Sequence, residues 1–170
     1  LSLVGSEMCI RDRRDISKGL YDEAKKAALR YEACFGKGNY FLELQDHGLP
    51  EQKLVNQSLL RMSQETGIEL VATNDVHYTL AEDAQPHDVL LCLQTGKKLA
   101  DEDRMRYEGG QYYVKSPEEM ERLFPYATEA LENTHKIAQR CHVEIEFGVT
   151  KLPKYDVPEG YTSWEYLNKL

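Results

Sequence analysis

No stretch of the chain approaches the roughly 18 consecutive apolar residues that a membrane-spanning helix needs, so no membrane partner is expected. There is no initiator Met, and the apolar residues at the start are too few, and their charges wrongly placed, for a signal peptide. The four cysteines, Cys9, Cys34, Cys92 and Cys141, stand far apart and form no C-x-x-C pair, which excludes a zinc knuckle and a dithiol redox motif. Cys34, Cys92 and Cys141 each fall in an apolar helical pattern, and a reducing cytoplasm is the simplest reading. Positive charge is in deficit: 21 Lys and Arg against 29 Asp and Glu give a net charge of −8. That balance argues against binding nucleic acid through the overall field of this chain. Walker-type glycine loops, G-x-S-x-G elbows, internal repeats and low-complexity tracts are all absent.

What is there is a soluble, globular composition, 41% apolar and 29% charged over 170 residues, enough for one domain or part of a larger one. Residues 1–13 look foreign to the rest. They resemble translated sequencing-adaptor sequence, so they are set aside, and the expectation is that the true N-terminal part precedes Arg14.

From there the chain alternates in period. A helix starts at Ser17, a possible N-cap, carries Leu20, Ala24, Ala27, Ala28 and Tyr31 on one face, and stops at Gly36. Asn39 to Gln45 alternates as a strand, with Glu43 and Gln45 near its end facing either a polar site or solvent. Asp46-His47-Gly48 is a turn. Pro50 opens a second helix through Leu54, Val55, Leu59 and Met62 to Gly67, and a strand from Glu69 to Thr73 follows. Helix, strand, helix, strand at this spacing predicts a parallel α/β sheet or barrel, whose sites collect at the C-terminal strand ends.

Asp75 and His77 occupy such an end. Two positions apart on extended backbone they project to one side, and carboxylate and imidazole are both good ligands for zinc, manganese or iron. From the residues alone, a turn Asp beside a partly exposed His is the commoner reading of such a pair.

Further on, Thr79 and Glu82 form a capping-box pattern, and Pro86 is expected to split the segment before a helix through Val89, Leu90, Leu91 and Leu93 to Gly96. His87 and Asp88 read as a surface or capping pair. Asp101-Glu102-Asp103, in a charged loop from Lys97 to Gly110, lacks the apolar strand that polymerase carboxylates need and reads as solvated. Gln111 to Lys115 is a short strand candidate, Ser116-Pro117-Glu118-Glu119 starts a helix, and another covers about Thr128 to Cys141. His135 and His142 have no partner at ligand spacing. Gly148 to Gly160, with two prolines, reads as a linker, and Thr162 begins a last helix.

Five stretches in order carry a resemblance: 36–45 (GKGNYFLELQ), 70–78 (LVATNDVHY), 87–97 (HDVLLCLQTGK), 113–120 (YVKSPEEM) and 151–161 (KLPKYDVPEGY). Together they resemble the polymerase-and-histidinol-phosphatase (PHP) domain of bacterial DNA polymerase III alpha subunits, from about Arg14 to Leu170. The resemblance implies a partial distorted α/β barrel over 14–147, a linker over 148–161 and the start of the palm at 162–170. It implies that Asp75 and His77 match the last of several ligand motifs of a zinc or manganese site whose other ligands lie upstream. The parent would be a cytoplasmic DNA-directed DNA polymerase using magnesium, meeting DNA and dNTPs through domains beyond this chain. A proofreading exonuclease and other replicase subunits would be its partners, and no catalytic residue of the polymerase would lie here. The alternatives are a PHP 3′–5′ exonuclease or phosphoesterase, or a catalytically dead scaffold that docks a proofreading exonuclease.

Overall fold

The computed structural model describes residues 15–16, 18–153 and 155–170. The adaptor reading of residues 1–13, Cys9 and the Ser17 cap all lie outside them.

Helix α1, Tyr21–Phe35, buries Ala24 and Ala28 and ends at Gly36, where φ is 87°. Strand β1, Leu42–Leu44, turns Leu42 and Leu44 inward and leaves Glu43 partly exposed between them. Helix α2, Pro50–Thr66, begins on a proline whose missing N–H costs nothing at that position, and it stops at Gly67 in the left-handed region. Strand β2, Leu70–Ala72, then lies parallel to β1, with Leu42 opposite Leu70, Glu43 opposite Val71 and Leu44 opposite Ala72. Parallel neighbours need a crossover, and α2 supplies it. The α/β expectation therefore holds, in the form of helices around a two-stranded parallel sheet.

Helix α4, Pro117–Leu123, carries the predicted capping box: Ser116 Oγ accepts from Glu119 N–H and the Glu119 carboxylate accepts from Ser116 N–H. It delivers Phe124 into a core with Leu42, Leu44, Leu59, Met62 and Ile68. Helix α5, Thr128–Arg140, covers β2, where the buried Asn133 Nδ2 donates to Leu70 O at 2.7 Å and satisfies a strand carbonyl.

Several local expectations are corrected. Asp83, not Glu82, accepts from the Leu80 N–H, and a short 3₁₀ turn, Ala81–Asp83, leads into helix α3, Ala84–Thr95. Pro86 does not split this helix, because it sits in the first turn, where N–H groups have no intrahelical partner. Leu91 and Cys92 face inward while Val89, Leu90 and Leu93 are exposed, so the apolar run does not mark the buried face. Gln111 to Lys115 forms an isolated bridge, Tyr78 to Tyr113, rather than a strand. Cys34 and Cys141 are exposed; only Cys92 of the described cysteines is buried.

Cys141–Leu170 forms a separate unit. Within it, helix α6, Ser163–Lys169, is capped by Thr162 with Glu165, and Tyr155 stacks on Tyr166 at 6.0 Å. Among the described residues no helix is long and apolar enough to cross a membrane.

An acid-sensitive tie joins α1 to α2. Glu65 accepts from Lys25 Nζ at 2.8 Å, Arg61 Nε at 2.6 Å and the Tyr21 hydroxyl at 3.0 Å. The bonds from Lys25 and then Arg61 hold its carboxyl at about 2, down from 4.5. A carboxylate whose folded pKa is depressed contributes stability above its unfolded pKa and loses it as pH falls through the folded value. Unfolding followed from pH 5 downward should therefore show a loss between about 4.5 and 2 that is smaller in Glu65→Gln.

Candidate functional site

Because β1 and β2 are parallel, both chains leave the sheet at the same edge, the edge where α/β proteins gather their sites. At that edge Thr73 Oγ1 donates to Glu43 Oε1 at 2.6 Å, and Gln45 Nε2 donates to Thr73 Oγ1 at 3.2 Å. Glu43 and Gln45 thus join a polar network instead of simply facing solvent. Past β2, the buried Asn74 donates through Nδ2 to Gln111 O at 2.8 Å and Tyr113 O at 2.7 Å. The next residue, Asp75, has φ 43° and is the one non-glycine among the described residues with positive φ. An Asp tolerates that conformation better than most residues, but it is kept only where the surroundings dictate it.

His77 Nε2 lies 3.4 Å from Asp75 Oδ2, with the two side chains 30% and 47% exposed. The backbone N–H groups of His77 and Tyr78 both donate to Tyr112 O, at 2.8 and 3.3 Å. The His77 ring is surrounded by others: Tyr107 at 4.2 Å, His87 at 5.6 Å and Tyr112 at 5.8 Å between centroids. Burial, and then the Asp75 carboxylate, push the Tyr112 hydroxyl above its usual pKa.

His87, expected at the surface, is instead within this ring cluster, also 5.3 Å from Tyr78 and from Tyr107. Its neighbour Asp88 accepts from Arg104 Nη1 at 2.5 Å and Nη2 at 2.7 Å, a two-pronged contact that holds the Asp88 carboxyl below the usual carboxylate range. Arg104 is only 5% exposed at its side chain. The charged loop is therefore not wholly solvated. Glu102 and Asp103 face water, whereas Arg104 pins the loop to α3 and brings Tyr107 over His77.

Sequence pattern does not single out His47, which sits in the turn after β1 yet is buried, stacked on Tyr112 at 4.0 Å, with Nε2 3.1 Å from Asn74 O. The signal was its place just after β1, which a parallel pairing brings beside the end of β2.

Chemically, one carboxylate oxygen and one imidazole nitrogen 3.4 Å apart match two corners of a tetrahedral metal site. Bonds of ~2.1 Å at tetrahedral angles separate ligand atoms by about 3.4 Å. Among the described residues no group of three or more His, Cys, Asp or Glu is placed to hold a metal ion. The pair is at most half of such a site.

No protein-family model matches the chain. Against curated proteins it is 42% identical over 151 residues to DNA polymerase III subunit alpha of Campylobacter jejuni, covering 89% of this chain and 12% of that protein. It is 44% identical over 149 residues to the protein of the same name from Treponema pallidum, covering 88% of this chain and 13% of that one. The chain is similar to a segment of DNA polymerase III subunit alpha. Against the DNA polymerase III alpha subunit of Thermus aquaticus the match is 39% over 170 residues and takes in 96% of this chain. The chain spans about an eighth of the length of these alpha subunits, 12% to 13%.

Proposed function

We propose that this chain is part of the accessory PHP domain of a replicative DNA-directed DNA polymerase, with residues 14–147 forming part of a distorted α/β barrel, 148–161 a linker and 162–170 the start of the palm. The observation that carries the reading is the 42% to 44% identity to alpha subunits across nearly nine-tenths of the chain. The parallel β1–α2–β2 unit, with its polar edge, is what a piece of such a barrel would contain. The parent works in the cytoplasm with magnesium on palm carboxylates, meets DNA and dNTPs through its other domains, and assembles with replicase subunits including a proofreading exonuclease.

Within this chain, Asp75 and His77 would hold a zinc or manganese ion together with ligands from elsewhere in the parent. When bound, such an ion lowers the pKa of a water molecule and polarises a phosphoryl oxygen. Asp75 would supply charge and one oxygen, and His77 one nitrogen. Tyr107 would shield the His77 ring from solvent. A second reading, with which the 3.4 Å spacing of Asp75 and His77 is compatible, is a metal-dependent 3′–5′ phosphodiesterase activity of the domain.

The test is primer extension by the full-length protein expressed from the intact gene. Magnesium-dependent DNA synthesis is expected in the wild type, and again in the Asp75→Ala/His77→Ala double variant, since the palm lies elsewhere. A wild-type protein that binds primed DNA and extends nothing would overturn the polymerase assignment.

A further inference from the structure

His47 is 4% exposed and has no part in the reading above, yet it bonds from β1's end to the strand end that carries Asp75. Its ring is fixed at both nitrogens. Nε2 lies 3.1 Å from Asn74 O, a carbonyl that can only accept, so Nε2 carries a proton. Nδ1 lies 2.8 Å from Gln52 Nε2. The Gln52 amide cannot be turned over to present its oxygen there, because Oε1 already accepts from His47 N–H at 2.7 Å. Nδ1 is therefore the acceptor, and the ring is the neutral Nε2–H tautomer.

We propose that His47 is a positioning residue for the Asp75–His77 pair, gripping the loop through Asn74 on one side and Tyr112 on the other. The role as ligand support rests on the reading of that pair as metal ligands. The Nε2–H bond holds the carbonyl immediately before Asp75, whose φ of 43° is a conformation that only surrounding contacts maintain. The ring face stacks on Tyr112, whose carbonyl receives the N–H of His77. Asn74 Nδ2 ties the same two segments together by bonding to Gln111 O and Tyr113 O, on either side of Tyr112. A single imidazole thus fixes the backbone before Asp75 and the segment on which His77 hangs. Partners of this kind, which orient a ligand without touching the metal, are worth 10- to 100-fold in affinity, roughly.

The experiment compares this chain, isotope-labelled, with His47→Leu and His47→Gln. Leu removes the donor to Asn74 O, while Gln keeps one. In His47→Leu the amides of His77 and Tyr78 should exchange with solvent about tenfold faster or more, and the Asp75 ³J(HN,Hα) coupling and Cα shift should leave their left-handed values. The β1–β2 amides should be unchanged, and His47→Gln should restore the loop. Should His47→Leu fail to fold, Gln52→Ala, which frees the ring without opening the core, is expected to give the same local loosening. Unchanged Asp75 and His77 signals in whichever variant folds, or uniform loosening of sheet and loop together, would overturn the proposal. In the full-length protein, manganese affinity should fall in His47→Leu and recover in His47→Gln. Loss of the metal reading would show separately, as Asp75→Ala binding manganese like wild type, and would leave the loop result standing.

Discussion

Phe124→Ala is expected to lower the unfolding free energy of the chain by about 3–5 kcal/mol, the usual cost of emptying a fully enclosed aromatic site. Phe124 is 0% exposed and follows directly on α4, and it belongs to the same core as Leu42, Leu44, Leu59, Met62 and Ile68. Those side chains come from β1, from α2 and from the turn before β2, and a cavity in their shared core would cost it dispersion contacts. Total stability of a domain is only ~5–15 kcal/mol, so the variant should be largely unfolded at modest urea. Urea unfolding followed by circular dichroism checks this. The midpoint should fall sharply with little change in the slope. Leu90→Ala, at a side chain 61% exposed on α3, should stay within about 0.5 kcal/mol of wild type. Equal losses at the two positions would contradict the packing described here.

The second large effect is on metal. In the full-length protein, Asp75→Ala or His77→Ala should each weaken zinc or manganese binding by on the order of 100-fold or more, beyond the loss that goes with a supporting residue. Competition with a chromophoric chelator at fixed pH measures it. Asp75→Gly separates ligation from backbone strain. A non-glycine residue in the left-handed region carries a steric cost of roughly 1–2 kcal/mol, which glycine avoids. Asp75→Gly should therefore bind metal as poorly as Asp75→Ala while being the more stable of the two. If the two lose stability equally, the loop holds Asp75 without strain.

Much of the fold was legible because its signals are local. Pro50 and Gly67 bracket α2, Ser116 and Glu119 cap α4, and the alternation around Leu42 and Leu44 marks β1. The failures have physical reasons too. In α3 an unbroken apolar run has no period to show which face turns inward, and Leu91 with Cys92 won over Leu90 and Leu93. Arg104 looked solvated because its partner Asp88 lies 16 residues earlier, and a pairing at that range leaves no trace in local pattern. Of the candidate site, Asp75 and His77 are the residues that stand out in the sequence, through their spacing after a strand. His47, His87, Tyr107 and Tyr112 do not, because only the tertiary fold brings their rings together.

The most direct measurement is a manganese titration of this chain, read residue by residue from paramagnetic broadening in its ¹H–¹⁵N spectrum. Weak binding in fast exchange is expected, with broadening centred on Asp75, Val76 and His77 and spreading to Tyr112, and its disappearance in Asp75→Ala/His77→Ala. Broadening centred instead on the exposed Glu102 and Asp103 would contradict the placement of the site, and tight stoichiometric binding by this chain alone would contradict the claim that Asp75 and His77 are only one part of it.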